Sequence, residues 1–94
     1  MKTFKTAQEF YDFCAKEHAC KEGLEEIRNK KLEDWWDVTQ RGDWMLWLNE
    51  CGVWEFTMEQ LAEYKRVQAP AWAEYERVKA NAIRSIFGNP WRTK

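Results

Sequence analysis

Tryptophan is the residue that most constrains this chain: seven occur in 94 residues, and five of them fall between Trp35 and Trp54. Each indole buries roughly 150–250 Å² of surface when it enters a core. On folding, a domain of this length buries only about 60% of the surface that its unfolded chain exposes. The tryptophans must therefore supply a large share of the core or be presented to a partner, and the sequence leaves both uses open.

The composition is typical of one globular domain covering residues 1–94. Hydrophobic residues make up 45% and charged residues 33% of the chain, a balance far from that of disordered proteins. No apolar run approaches the roughly 18–20 residues of a transmembrane helix, and residues 1–10 lack the apolar region of a secretory signal. Three cysteines in such a chain predict reduced thiols. We therefore expect a cytoplasmic protein that does not enter a membrane.

The charge is divided unevenly along the chain. Residues 1–64 carry 14 Asp and Glu against 8 Lys and Arg, a net charge of −6, whereas residues 65–94 carry 2 against 7, a net charge of +5. These parts can pair within one chain, pair between copies of a homo-oligomer, or face a partner. The whole-chain charge of −1 lacks the basic excess of a dedicated nucleic-acid-binding protein, so we do not expect nucleic acid to be the partner.

Capping signals and apolar spacing predict an all-α fold. Thr6 and Glu9 form a capping box at the start of the first helix. Thr57 and Gln60 form a second capping box. Helical periodicity predicts a helix from Ala7 that ends before Gly23, a short surface helix over 24–30, helices over Leu32–Gln40 and Trp44–Glu50, and a long helix from Met58 to about Phe87. We therefore expect a small single-domain bundle of about five helices.

Two signals divide and end the long C-terminal helix. Pro70 interrupts it, because proline removes a backbone donor and clashes with the preceding turn, so we expect a kink or a split near residues 68–69. Gly88 followed by Pro90 predicts the end of the helix. Residues 53–56 alternate in polarity like a strand but are too few to predict one.

The helix that begins near Trp44 is predicted to be central, because it is apolar almost all round. Trp44, Trp47 and Leu48 share a stripe, and we expect all three to be buried. Trp35, Trp36 and the C-terminal helix are expected to pack over this helix. The preceding helix places four residues on one face: Leu32, Trp35, Trp36 and Thr39.

The turn between these two helices has its own signals. Gly42 suits the position just past the end of the first helix, where a left-handed backbone favours glycine. Asp43 suits the N-cap of the second helix, where its carboxylate would accept a backbone hydrogen bond. We therefore expect one helix to end before Gly42 and the next to begin after Asp43.

The cysteines and the single histidine are the candidate metal ligands. Cys14 and His18 lie one helical turn apart, Cys20 follows shortly, and Cys51 is distant in sequence. Structural zinc sites ordinarily contain close Cys-x-x-Cys pairs, which this chain lacks, so we expect semi-buried thiols, no metal and no cofactor. No nucleophile motif or Gly-rich phosphate loop accompanies His18, so we also expect no enzymatic activity.

Glu33, Asp34 and Asp37 are the leading candidates for a partner-binding surface. Further acidic residues lie nearby in sequence, and such an acidic face can dock on a partner or mimic nucleic acid. The simpler interpretation is a solvated helix face, because carboxylates early in a helix favour its dipole.

The basic C-terminal third supplies an alternative ligand-binding site. Arginine forks suit phosphate, and aromatic rings stack on bases. A nucleotide or signal molecule is the ligand expected for this set, which comprises Tyr64, Tyr75, Arg77, Arg84, Trp91 and Arg92. The simpler interpretation is a cationic helix end that complements the helix dipole, followed by a tail docked through Trp91.

Three local sequence patterns carry a resemblance. Cys20-x-x-Gly23 is followed about twenty residues later by Arg41-Gly42-Asp43-Trp44-Met45-Leu46-Trp47-Leu48, with Trp35-Trp36 between them. This order resembles a loosely defined group of small uncharacterised proteins encoded by phages and other mobile elements of bacteria. The ending from Arg84 to Arg92 is similar to a tail in assorted small bacterial proteins. The resemblance implies an α-helical, phage-type accessory protein and carries no catalytic residues.

The leading hypothesis is a non-enzymatic, phage-type accessory protein that binds a bacterial host protein in the host cytoplasm. Its expected task is to inhibit a host-defence component, such as a CRISPR effector, by masking a protein surface with its acidic face or exposed aromatic rings. This hypothesis depends on the small size, the lack of catalytic motifs and the resemblance. The alternative is a protein that sequesters a nucleotide or signal molecule between Trp or Tyr rings and the C-terminal basic residues.

Overall fold

A computed structural model describes residues 1–67 and 75–92 of the chain. These residues form six helices and contain no strand: α1 (Ala7–Lys16), α2 (Lys21–Ile27), α3 (Leu32–Val38), α4 (Gly42–Glu50), α5 (Met58–Val67) and α6 (Tyr75–Phe87). The predicted all-α fold is confirmed, with one helix more than the five expected, because the long C-terminal segment contains both α5 and α6. No described helix combines the length and the apolar character needed to cross a membrane.

The capping box predicted at Thr57 is formed, and the one predicted at Thr6 is formed in part, because Glu9 returns to the N–H of Lys5 and not to that of the N-cap. At α1, the Thr6 hydroxyl accepts a hydrogen bond from the Glu9 N–H at 3.1 Å, and the Glu9 carboxylate accepts one from the Lys5 N–H at 2.8 Å. At α5, the Thr57 hydroxyl accepts from the Gln60 N–H at 3.1 Å, and Gln60 Oε1 accepts from the Thr57 N–H at 2.9 Å. Each threonine hydroxyl satisfies a donor that a helix start leaves unpaired, so local sequence fixes where these two helices begin.

Helices α5 and α6 lie side by side and run in opposite directions. Gln60, in the first turn of α5, donates from Nε2 to the backbone carbonyl of Ile86 near the end of α6 at 3.5 Å. The predicted interruption of the long helix therefore takes the form of two packed helices. Pro70 itself, with the rest of residues 68–74, lies outside the described residues.

Trp36 is the centre of the hydrophobic core. Its side chain is fully buried, and its ring packs at centroid distances of 4.9–6.3 Å against Trp35, Trp54, Phe87 and Trp91. The Trp36 indole N–H donates to the carbonyl of Gly88 at 2.7 Å. Gly88 follows the end of α6 with a φ of +78°, the left-handed region that favours glycine. The predicted inner face of α3 is confirmed, since its residues Leu32, Trp35 and Trp36 and the following Thr39 are all buried.

Side chains of α6 cap the turn between α3 and α4 from both sides. Arg84 donates from Nη1 to the carbonyls of Trp36 at 2.9 Å and Thr39 at 2.7 Å, which satisfies acceptors at the end of α3. Glu76 accepts through Oε1 from the backbone N–H of Asp43 at 2.8 Å, which satisfies a donor at the start of α4. Helix α6 therefore fixes how α3 and α4 are joined.

Gly42 is the first residue of α4 and lies against α6. Helix α3 ends at Val38, and α4 begins at Gly42. The predictions that Gly42 lies just past the end of α3 and that Asp43 is the N-cap of α4 are therefore wrong. A Cβ on Gly42 would lie 2.6 Å from the Cβ of Lys79 and 2.8 Å from the backbone N of Ala80. The absent side chain is what allows α4 to approach α6 this closely.

The predicted burial of α4 is right for Leu48 and wrong for the two tryptophans. Leu48 is 2% exposed, and Met45, which was not predicted to be buried, is fully buried. Trp44 and Trp47 are only half-buried. A helix that is apolar on nearly every side carries no signal for the side that faces inward. Gly42, which lies three residues before Met45, turns the Met45–Leu48 side towards α6 and the core.

The segment after α4 is extended and buried. Val53 and Trp54 are both buried. The Val53 N–H donates to the Leu48 carbonyl at 3.0 Å, and the Val53 carbonyl accepts from the Lys2 N–H at 2.8 Å. The Trp54 indole N–H donates to the Met45 carbonyl at 2.7 Å. This short segment therefore ties α4 and the N-terminal residues to the core.

Candidate functional site: an aromatic cleft

A cleft of about 540 Å³ opens between α1, α2 and α4. Its volume lies in the range of small-ligand sites, roughly 300–1,000 Å³. Buried side chains form its floor, namely Phe10, Cys14, Ile27, Trp35 and Leu48. The half-buried Trp44 and Trp47 line it from α4, and Asp43, Glu50, His18 and Lys79 add polar groups. The cleft is therefore a largely apolar site with a few ionisable side chains.

The tryptophans in the described residues divide into two groups by their indole N–H. One group donates to acceptors within the protein: Trp35 to Glu26, Trp36 to Gly88, Trp54 to Met45 and Trp91 to Lys2. Trp44 and Trp47 make no indole hydrogen bond within residues 1–67 and 75–92. A buried indole N–H usually finds a partner, and the two indoles without a protein acceptor are the half-buried ones that line the cleft from α4.

Trp44 is held by a cation and a carboxylate from the same stretch of chain. The Arg41 guanidinium lies 4.1 Å from the centroid of the Trp44 ring, a cation–π contact. It also donates to the Asp43 carboxylate, at 3.2 Å from Nε and 3.0 Å from Nη2. Burial alone would raise the pKa of Asp43, but the hydrogen bonds and charge of Arg41 outweigh it and hold that pKa below its usual value. This end of the cleft is therefore neutralised within the chain.

The Cys-x-x-Gly element and the tryptophan element meet at Trp44. The Cys20 Sγ accepts a hydrogen bond from the Gly23 N–H at 3.4 Å at the start of α2. A Cβ on Gly23 would stand 3.8 Å from the Trp44 ring, so the Gly23 side of α2 packs on the indole. The two elements, which are separate in sequence, form one contact between α2 and α4.

Three of the candidate metal ligands line the same cleft. Cys14, His18 and Cys20 line it. Burial above all, then the neighbouring Cys51 and Glu17, raises the pKa of the Cys14 thiol to about 12. No group of three or more His, Cys, Asp or Glu side chains in the described part of the chain is arranged to hold a metal ion.

The three thiols are expected to react with a maleimide in the order Cys20, Cys51, Cys14. Cys20 is exposed, Cys51 is half-buried, and Cys14 is buried with 2% of its surface exposed. Because the thiolate is the reactive form, the raised pKa of Cys14 slows its reaction further. Peptide mapping by mass spectrometry after labelling at about pH 8, near the ordinary thiol pKa, measures the order. Labelling of Cys14 in the folded protein as fast as in denaturant would contradict its burial.

The acidic residues predicted as a partner-binding surface are engaged by the C-terminal tail. Arg92 donates to the carboxylates of Asp34 at 2.6 Å and Asp37 at 2.7 Å. Asn89 donates to the backbone carbonyl of Glu33 at 2.9 Å and to Asp37 at 2.8 Å. The tail therefore contacts the carboxylates of Asp34 and Asp37 but only the backbone of Glu33, and one arginine offsets part of the acidic charge.

The basic and aromatic residues of the C-terminal tail serve internal contacts. Arg84 donates to the end of α3, and Arg92 pairs with the carboxylates of α3. The Trp91 ring packs 4.9 Å from the Trp36 ring, and its indole N–H donates to the Lys2 carbonyl at 2.8 Å. Arg84, Trp91 and Arg92, three members of the predicted ligand site, therefore stabilise the positions of the tail and α3.

The other members of the predicted ligand site lie on α5 and α6. Tyr64 is buried, and its ring lies 5.4 Å from the ring of Phe56. Arg77 is exposed. The side chain of Tyr75 lies outside the described residues. Tyr64 therefore belongs to the core, whereas Arg77 belongs to the surface of α6.

The sequence carried little signal for the cleft, because its lining comes from distant parts of the chain. Phe10 belongs to α1, Gly23 to α2 and Lys79 to α6. One local signal was available: Trp47 and Glu50 lie one helical turn apart in a segment with two other cleft residues, Asp43 and Trp44. An acidic residue one turn from a tryptophan is unusual for a wholly buried helix face, and this pattern points to a side of α4 that meets solvent.

The chain was compared with family models, curated protein sequences and solved structures. No family model, curated protein or solved structure matches it. The function is therefore inferred from the geometry and chemistry of the aromatic cleft itself.

Proposed function

We propose that this chain is a non-enzymatic binding protein that masks a surface of a protein partner, and that the aromatic cleft is its contact site. The observation that carries this proposal is the half-burial of Trp44 and Trp47 beside a cleft with a packed floor. Tryptophan is enriched among the residues that dominate interface energies. A partner that enters the cleft buries these rings further and supplies acceptors for their indole N–H groups.

The acidic body of the chain supports a protein partner with a basic surface. Residues 1–64 carry a net charge of −6, and Glu33, Asp34 and Asp37 contribute to it on the exposed side of α3. Exposed charges at the rim of an interface mainly speed association and set its salt dependence. Under this proposal, the acidic face attracts the partner and the aromatic cleft supplies most of the affinity.

Sequestration of a nucleotide receives less support. Arg84 and Arg92 already donate to acceptors within the protein, so a phosphate group would have to replace those acceptors. The cleft itself is lined by Glu50, whose charge opposes an anion. Masking of a protein surface is therefore better supported than sequestration of a nucleotide.

The resemblance to small phage-encoded proteins suggests the class of partner. We place the partner among host-defence proteins, for example a CRISPR effector, in the host cytoplasm. The lack of a nucleophile motif supports action by binding and not by catalysis.

Replacing Trp47 with alanine is expected to reduce capture of the partner from a bacterial lysate by about tenfold or more, as loss of an interface hot spot does. The measurement is affinity capture with tagged protein, followed by quantitative mass spectrometry. The matched control is Met58→Ala, because Met58 is 90% exposed and lies on α5, away from the cleft. That variant should capture the same protein as the unmodified chain.

Two further outcomes decide the proposal. Equal capture by the Trp47→Ala variant, with unchanged helical circular dichroism, would exclude the cleft as the contact site. Saturable quenching of tryptophan fluorescence by a nucleotide, with no protein captured by any variant, would favour sequestration.

A further inference from the structure

Helix α4 contains two pairs of an indole and a carboxylate, which are adjacent in sequence in the first pair and three residues apart in the second. In the first pair, Trp44 and Asp43 hold the Arg41 guanidinium, which lies 4.1 Å from the ring centroid and 3.0 Å from the carboxylate. In the second pair, Trp47 and Glu50 lie one helical turn apart and both line the cleft. Within residues 1–67 and 75–92, no cation or ring stacks on Trp47, and Glu50 forms no ion pair.

We infer that the cleft binds an arginine side chain from a basic segment of the partner protein, with the guanidinium over the Trp47 ring and paired with the Glu50 carboxylate. This inference rests on the proposed function and names the chemistry of its partner. Indole faces attract cations, and the planar guanidinium fork matches a carboxylate. At the other end of α4, Arg41 makes both kinds of contact, with the Trp44 ring and with the Asp43 carboxylate.

The ionisable groups of the cleft leave negative charge at the Glu50 end. Asp43, Trp47 and Glu50 are spaced by four and three residues, which places them along one side of α4. Asp43 is neutralised by Arg41. Lys79 lies beside Gly42, about 12 Å along the helix from Glu50 at 1.5 Å per residue.

The Lys79 ammonium group is also paired locally. Its Nζ lies 3.5 Å from the Glu76 carboxylate on the same helix. The Lys79 ammonium group is therefore paired near Gly42, at the start of α4, whereas Glu50 lies at the end of α4. A cation that enters beside Trp47 meets an uncompensated carboxylate.

The thiols near this end of the cleft support a negative local potential. After burial, Glu17 and Glu50 raise the pKa of the Cys51 thiol. Glu17 also contributes, after burial and Cys51, to the raised pKa of Cys14, which lies in the cleft floor. Two carboxylates therefore act on the same region, and an apolar cleft under such a potential favours a cation over a neutral or anionic group.

The apolar floor of the cleft indicates which side chains flank the arginine in the partner segment. Phe10, Ile27 and Leu48 are buried and apolar. The cleft volume of about 540 Å³ exceeds that of one guanidinium group, so apolar neighbours of the arginine fit beside it. The expected partner segment is therefore an arginine flanked by aliphatic side chains.

Three capped tripeptides test the inference: leucine–arginine–leucine, leucine–citrulline–leucine and leucine–glutamate–leucine. Citrulline keeps the shape of arginine but replaces the guanidinium with a neutral urea. Binding is measured by tryptophan fluorescence and by the NMR shift of the Trp47 indole N–H. We expect the arginine peptide to bind about tenfold or more tightly than the citrulline peptide, and the glutamate peptide to bind most weakly.

Two variants connect this preference to the proposed residues. Glu50→Gln should reduce the preference for arginine over citrulline to about threefold or less, since it removes the paired charge and keeps the shape. Glu55→Gln is the control, because Glu55 is exposed and does not line the cleft; it should leave the preference unchanged. Trp47→Ala should abolish binding of the arginine peptide.

Equal affinity for the arginine and citrulline peptides, no binding of either, or an unchanged preference in Glu50→Gln would overturn the inference. The lysate capture separates this failure from that of the proposed function. If capture still depends on Trp47, the cleft remains the contact site and only the arginine occupant is wrong. If capture does not depend on Trp47, the proposed contact site fails as well.

Discussion

Replacing Trp36 with alanine is expected to lower the free energy of unfolding by about 3–5 kcal/mol, the usual cost of truncating a buried tryptophan. Trp36 is fully buried and packs against rings from α3, the extended segment, α6 and the tail. Its loss also leaves the Gly88 carbonyl without its indole donor. Denaturant unfolding followed by circular dichroism measures the change in the free energy of unfolding.

Two further substitutions on the same helix, one milder and one a control, test this expectation. Trp36→Phe keeps a ring but removes the hydrogen bond to Gly88, and it should cost about 1–3 kcal/mol. Val38→Ala is the control on α3, because Val38 is 63% exposed; it should change the free energy of unfolding by no more than about 0.5 kcal/mol. A loss below about 1 kcal/mol for Trp36→Ala would show that the core does not depend on this residue.

The contrast between Trp36 and Trp47 separates the two uses of tryptophan in this chain. Trp47 was predicted to be a core residue, but it is half-buried and lines the cleft. Its removal forfeits less buried apolar surface than removal of Trp36, so its cost in stability is expected to be smaller. The same substitution should have its main effect on partner capture.

Features that depend on neighbours in sequence were predictable. The N-caps at Thr6 and Thr57 form their hydrogen bonds within four residues of chain, so these bonds follow from local geometry. The inner face of α3 was predictable for a similar reason. Its apolar residues recur with the helical period and leave one side polar, which admits a single inward orientation.

Features that depend on another helix were not predictable. Helix α4 is apolar on nearly every side, so periodicity does not identify its inner face. The orientation is decided by Gly42, through a close contact with Lys79 and Ala80 on α6. The N-cap expected of Asp43 failed for the same reason, since Glu76 from α6 performs the capping.

The candidate site follows the same division. The spacing of Asp34 and Asp37, three residues apart on one helix, predicts an acidic surface formed by these two carboxylates. The ion pairs of that surface with Arg92 depend on where the tail docks, which no local pattern encodes. The aromatic cleft needs α1, α2 and α4 to assemble before it exists, and only the spacing of Trp47 and Glu50 could have suggested it.

Replacing Gly42 with alanine is expected to lower the free energy of unfolding by about 1–3 kcal/mol, the usual cost of forcing extra volume into a packed contact. The new Cβ would lie 2.6 Å from the Lys79 Cβ, 2.8 Å from the Ala80 N and 3.1 Å from the Glu76 carbonyl oxygen. None of these atoms is the end of a flexible side chain, so α4 or α6 must move as a whole. Denaturant unfolding measures the loss.

Gly23→Ala is the matched control, since Gly23 is also a helical glycine packed against another helix. There a Cβ would stand 3.5 Å from the Cys20 Sγ and 3.8 Å from the Trp44 ring, which is ordinary contact. Alanine should therefore raise the free energy of unfolding by about 0.5–1 kcal/mol, the usual difference in helix preference. Helix preference alone favours alanine at both positions, so opposite signs would identify the approach of α4 to α6 as the cause. If Gly42→Ala were also stabilising, the close contact would not set the inner face of α4, and the outward placement of Trp44 and Trp47 would need another explanation.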